Sequence, residues 1–93
     1  MTDQSVIAEV VISNKKGLHA RASAAFVKCA DQFDAQIDVT KDGQTVGGSS
    51  IMGLMMLAAS QGSSIVIEAK GPQGDDAVKA LIDLIEAKFH EGE

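Results

Sequence analysis

The stretch Gln36-Ile37-Asp38-Val39-Thr40-Lys41-Asp42-Gly43-Gln44-Thr45-Val46 decides how this chain folds. Ile37 and Val39 alternate with polar neighbours, the period of a strand with one buried face. Asp42-Gly43 is the dipeptide that closes a two-residue hairpin, because both positions must accept a left-handed backbone. The chain therefore returns on itself through Gln44 to Val46. Two adjacent antiparallel strands are thus placed in the middle of the sequence.

Working upstream, a helical pattern running from about Ala20 to Gln32 precedes this hairpin. Ala22, Phe26, Cys29, Ala30 and Phe33 recur there at helical spacing and point to the core. Asn14-Lys15-Lys16-Gly17 is turn chemistry. Before it, Val6 to Ile12 reads as a strand with Val6, Ala8, Val10 and Ile12 on one face.

Downstream, Gly47-Gly48-Ser49-Ser50 interrupts the pattern, and serine is a favoured helix N-cap. A short helix is expected from about Ile51 to Ala58, and Gly62 closes that region. Ser63 to Ala69 alternates, with Ile65, Ile67 and Ala69 on one side. After the loop Gly71-Pro72-Gln73-Gly74, the set Val78, Leu81, Ile82, Ile85 and Phe89 marks an amphipathic helix from Asp75 to Phe89. The tail Glu91-Gly92-Glu93 is expected to fray. The order is β-α-β-β-α-β-α, an α+β fold in which helices cover one face of a four-stranded antiparallel sheet. Residues 1–93 form a single domain, without repeat or linker.

Composition narrows the function. The net charge of −5 and the lack of tryptophan and tyrosine argue against a nucleic-acid partner, which needs clustered cations and stacking platforms. The opening MTDQSVIAEVV has neither the basic start nor the apolar run of a signal peptide. The apolar run Ile51 to Ala59 is too short to span a bilayer. Cys29 stands alone, which fits a reducing, cytoplasmic compartment. One cysteine and two distant histidines, His19 and His90, do not make a metal site, and His90 in the acidic tail is expected to be solvated. With no phosphate-cradling glycine loop, no cofactor is implied.

Chemistry concentrates at Gly17-Leu18-His19-Ala20-Arg21, directly before the helix. A helix N-terminus combines unpaired N–H groups with partial positive charge, and so favours an anion. An imidazole, with an ordinary pKa of roughly 6.5, is largely neutral near pH 7 and offers a nucleophilic nitrogen. A nucleophile inside an anion site suggests a histidine that carries a phosphoryl group, held by the backbone of Ala20 and Arg21 and by the Arg21 guanidinium. The plainer interpretation has His19 merely capping the helix and Arg21 in solvent. Further along, Ile51, Met52, Leu54, Met55, Met56 and Leu57 cannot all point inward from so short a helix. Leu54 and Leu57 suit the core, leaving Ile51, Met52 and Met55 as an exposed patch for partner docking.

The segment Gly17 to Arg21 resembles the phosphorylation-site signature of the HPr family, the histidine-containing phosphocarriers of the phosphoenolpyruvate-dependent phosphotransferase system. Ser50-Ile51-Met52-Gly53-Leu54-Met55 is similar to that family's regulatory-serine stretch. The resemblance extends from the first strand to the last helix. It implies an open-faced β-sandwich, with His19 as phosphoacceptor through Nδ1 and Arg21 as the active-site arginine. It also implies enzyme I as donor, an EIIA-type acceptor domain, and a serine kinase/phosphorylase acting on Ser50. A monomeric relay protein, not a free-standing enzyme, is expected. The family usually has proline after the arginine, where this chain has Ala22, and many relatives have lysine at Ser49. Glu68 to Gln73 and the Leu54-Met55-Met56-Leu57 run look like the nitrogen-regulatory branch, while Ser50 to Gly53 look like the sugar-uptake branch. The balance leans slightly to the regulatory one. The alternative is a docking module of the same fold that carries no phosphate, which would need neither His19 nor Arg21.

Overall fold

The computed structural model describes residues 5–91. The expectations for the opening residues 1–4 and for Gly92 and Glu93 lie outside the described residues. The strands are β1 (Ser5–Val11), β2 (Gln36–Lys41), β3 (Gln44–Gly47) and β4 (Ser64–Lys70). The helices are α1 (Ala20–Ala30), α2 (Ile51–Met56) and α3 (Gly74–Glu86), followed by a tight turn at Lys88–His90.

The sheet order is β1-β4-β2-β3, and every neighbouring pair is antiparallel. The hairpin read from Asp42-Gly43 forms as expected. Both residues take positive φ, 52° and 81°, as the mirror-image turn between twisted strands requires. Register follows the apolar alternation: Val10 lies opposite Ile65, and Ile67 is flanked by Ala8 and Val39. A slip of one residue would turn these side chains to solvent.

Ile65, Ile67 and Ala69 from β4 meet Phe26 and Ala22 from α1 and Val78, Leu81 and Ile85 from α3 in one core. Burying a side chain of the size of Phe26 or Ile65 stabilises the fold by roughly 1.5–3 kcal/mol. The helices cover one face only, so Ile7 and Val11 on the open face of β1 remain exposed.

The strand bounds shift by a residue at most, and the three helices end earlier than the sequence expectation. Helix α1 stops at Ala30, not Gln32, because the chain turns at Asp31 to enter β2, and Cys29 and Phe33 are only half-buried. Helix α2 ends at Met56, and Ala58 goes to φ 53°, which no right-handed helix tolerates. Helix α3 ends at Glu86. Lys88, Phe89 and His90 then take φ of 55°, 54° and 60°, a left-handed turn that nonetheless buries Phe89.

Candidate functional site

His19 is placed by a loop whose every corner is fixed. Gly17 adopts φ +65°, and a Cβ there would run into the backbone carbonyl of Ala59. Leu18 is buried, and its N–H donates to the Ala59 carbonyl at 2.9 Å. The chain then enters α1 with His19 as N-cap, φ −76° and ψ −178°, its carbonyl accepting from the Ser23 N–H at 2.8 Å. An N-cap leaves the first-turn N–H groups of Ala20 and Arg21 without intrahelical partners. The Ser23 hydroxyl donates back to the Leu18 carbonyl at 3.2 Å, which ties helix to loop.

The imidazole makes no capping hydrogen bond to its own helix, although the residue occupies the N-cap position. Its Nε2 instead lies 2.7 Å from Oε2 of Glu91, with the two side chains 27% and 8% exposed. Nδ1 takes part in no hydrogen bond among the described residues. The tail was expected to fray at Glu91; the structure corrects this by seating Glu91 in the site. Its other carboxylate oxygen, Oε1, accepts from Asn14 Nδ2 at 3.2 Å. Asn14 is fully buried and also donates to the Gly17 carbonyl at 2.8 Å. Its Oδ1 has no partner among the described residues.

Burial pushes the Glu91 carboxyl up, but hydrogen bonds from His19 and Asn14, with the attraction of Arg21 and of any protonated His19, outweigh it. The net result is a carboxyl held below its ordinary value, and so a carboxylate at neutral pH. Lys16, His19, Arg21 and Glu91 together line a shallow cleft. Arg21 itself is exposed on the first turn of α1, on the rim of this cleft. A second hollow, lined by Lys16, Leu18, His19 and Ala58 to Ser60, leads from the ring toward the end of α2.

Ser50 caps α2: its Oγ accepts from the Gly53 N–H at 2.9 Å, while the residue stays exposed. Leu54 and Leu57 are buried. Ile51 is 40% exposed, Met52 69% and Met55 39%; Met56, not foreseen as part of the patch, is 67% exposed. Burial raises the pKa of the half-buried Cys29 thiol, which disfavours a reactive thiolate. His90 is exposed, as expected. Among the described residues no cluster of histidine, cysteine and carboxylate side chains could hold a metal, and no helix is long and apolar enough to cross a membrane.

Sequence reasoning missed Asn14, Lys16 and Glu91. Asn14 carries only a turn signal, and nothing local marks Glu91 as a partner of a ring 72 positions away.

An open four-stranded sheet thus carries a partly exposed histidine and an exposed arginine at the mouth of its first helix, the architecture of a small phosphocarrier. Residues 6–87 match the PTS-HPr family, described as the PTS HPr component phosphorylation site. The chain is 51% identical over 84 residues to the phosphocarrier protein HPr of Neisseria meningitidis serogroup B, covering 90% of this chain and 94% of that one. It is 39% identical over 83 residues to the phosphocarrier protein NPr of Shewanella violacea, covering 89% and 91%. The crystal structure of an HPr from Thermoanaerobacter tengcongensis superposes with a TM-score of 0.89 at 48% identity, covering 92% of this chain and 97% of that one. The chain belongs to the HPr family of phosphocarrier proteins.

Proposed function

We propose that this phosphocarrier takes its phosphoryl group on His19, from enzyme I charged by phosphoenolpyruvate, and hands it to an EIIA-type acceptor domain. The observation that carries this reading is the partly exposed ring of His19 at the mouth of α1, with Nδ1 unengaged among the described residues and Arg21 on the same cleft. The transferring group is a small, highly charged anion in flight between two proteins. What it needs is position and opposite charge, more than covalent chemistry from the carrier. The first-turn N–H groups of Ala20 and Arg21 supply fixed partial charge, and the Arg21 guanidinium supplies a mobile one. Neither buries the group, so it can leave as readily as it arrives.

The apolar patch of Ile51, Met52 and Met55, extended by Met56, serves as the docking face for donor and acceptor in turn. Methionine suits this role, because an unbranched thioether repacks against differently shaped partners. Modest, short-lived interfaces fit a relay that must let go of each partner. Phosphorylation of Ser50 by a serine kinase would add negative charge beside that face and weaken docking of acidic partners. Exposure of Ser50 and its place one residue before the patch support this regulatory reading.

The test is incubation with phosphoenolpyruvate and purified enzyme I, followed by peptide mapping. An acid-labile phosphate on the peptide containing His19 is expected, and it should pass to added EIIA. Comparing acceptor domains of the sugar-uptake and nitrogen-regulatory types by rate identifies the branch. A protein that binds these partners yet takes no phosphate would instead be the docking module of the same fold.

A further inference from the structure

We propose that Glu91 is a positioning residue for His19: its carboxylate holds the imidazole in the Nε2–H form and thereby presents Nδ1, free of a proton, to phosphorus. The inference rests on the reading that His19 accepts the phosphoryl group, and it names what sets the ring's tautomer and orientation.

The geometry is that of a two-point clamp. One oxygen of Glu91 sits 2.7 Å from Nε2, and the other accepts from Asn14 at 3.2 Å. Asn14 is in turn anchored to the Gly17 carbonyl two residues before His19, so carboxylate, loop and ring form one connected unit. A carboxylate can only accept, so the shared proton belongs to Nε2 and the neutral ring's lone pair to Nδ1. The depressed pKa of Glu91 supports the ionised form that this arrangement needs.

The backbone is bent to deliver that clamp. Lys88, Phe89 and His90 are non-glycine residues in succession with left-handed φ. A residue with a Cβ adopts this backbone at a cost, and such strain persists only where surrounding contacts over-determine it. Two contacts do so here. Phe89 is seated in the core, and Glu91, two residues on, reaches the ring. Chain continuing α3 as a regular helix would carry position 91 away from the loop that holds His19.

The consequence for the reaction is specific. The Nδ1 lone pair forms the N–P bond while the bond between phosphorus and the donor's atom breaks, its electron pair leaving with the donor. No proton has to depart from Nδ1, because none is there. The product ring is cationic, with its proton still on Nε2, and the Glu91 carboxylate balances that charge. In the onward transfer the N–P bond breaks and its electrons return to Nδ1, again without a proton transfer. Arg21 and Lys16, the other charged residues lining the cleft, are left to the phosphoryl oxygens.

The decisive experiment is long-range ¹H–¹⁵N NMR of the His19 ring in the uncharged protein at neutral pH, in the parent, Glu91→Ala and Glu91→Gln. The parent is expected to show a single tautomer, protonated at Nε2. Glu91→Ala should shift the ring toward a mixture of the two neutral forms and slow charging on the order of tenfold. Glu91→Gln keeps an acceptor oxygen and should restore much of the tautomer preference without the charge. A parent ring protonated at Nδ1, or an Ala variant with an unchanged ring spectrum, overturns the proposal. If the ring shows the Glu91-dependent tautomer but the protein takes no phosphate, the relay reading fails while the assignment of Glu91 to the ring stands.

Discussion

The two functional regions of this molecule are built in opposite ways. Around His19 nearly every group is pinned: Gly17 in the only backbone shape that fits, Leu18 buried, Asn14 and Glu91 hydrogen-bonded to one another and to the loop. Around α2 the helix is short, capped by one serine hydroxyl, and presents Ile51, Met52, Met55 and Met56 to solvent on flexible stems. The difference follows from the two tasks proposed for them. Moving a phosphoryl group requires reacting atoms aligned to fractions of an ångström. Meeting several partners requires a surface that can adapt. A small relay can do both because the pinned loop and the pliant helix adjoin through Ala58 and Ala59.

The sharpest way to break this contrast is to loosen the pinned side. Gly17→Ala places a side chain against the Ala59 backbone at a φ that alanine resists. It should destabilise the protein by about 3 kcal/mol in urea unfolding and slow phosphoryl uptake as well. On the pliant side, Ser50→Ala removes the hydrogen bond to the Gly53 N–H. A loss of about 1 kcal/mol is expected, with the His19 ring spectrum unchanged. Smaller still, Met52→Gln should alter stability by less than about 0.5 kcal/mol, because the side chain is mostly in solvent. Its effect should fall on KM for donor and acceptor, read from transfer kinetics, and leave kcat near the parent value.

The Glu91 contact makes a pH prediction of definite sign. Its carboxyl lies below the ordinary value of 4.5 when folded, so the folded state binds the proton less well than the unfolded one. The resulting stabilisation is fully present above about 4.5 and is lost as pH falls through the folded-state pKa. Urea unfolding of parent and Glu91→Ala should therefore differ at pH 6 and converge at strongly acidic pH.

Much of the fold was legible because strand alternation and the Asp42-Gly43 turn are local signals, and local signals survive into the structure. Ile37, Val39, Ile65 and Ile67 face the core as their spacing implied. What could not be read were contacts made at long range. Phe89 falls at helical spacing from Ile85, so periodicity extends α3 through it; the actual left-handed turn buries the same side chain by another route. The helix start at His19 was legible from Gly17 to Arg21, since the turn and the helix formers lie in one short segment. Glu91 was not, because its role exists only once α3 and β1 have brought the tail over the loop. Asn14 gave a turn signal, and its burial beneath the site, with a hydrogen bond to Glu91, is a long-range contact.

Mass spectrometry of the intact protein after exposure to phosphoenolpyruvate and enzyme I reads whether the imidazole of His19 becomes covalently bonded to phosphorus. One acid-labile phosphoryl group is expected on the parent, mapped to His19, and none on His19→Asn. A His19→Asn protein that charges as well as the parent, or a label that maps to another residue, would contradict the assignment to His19.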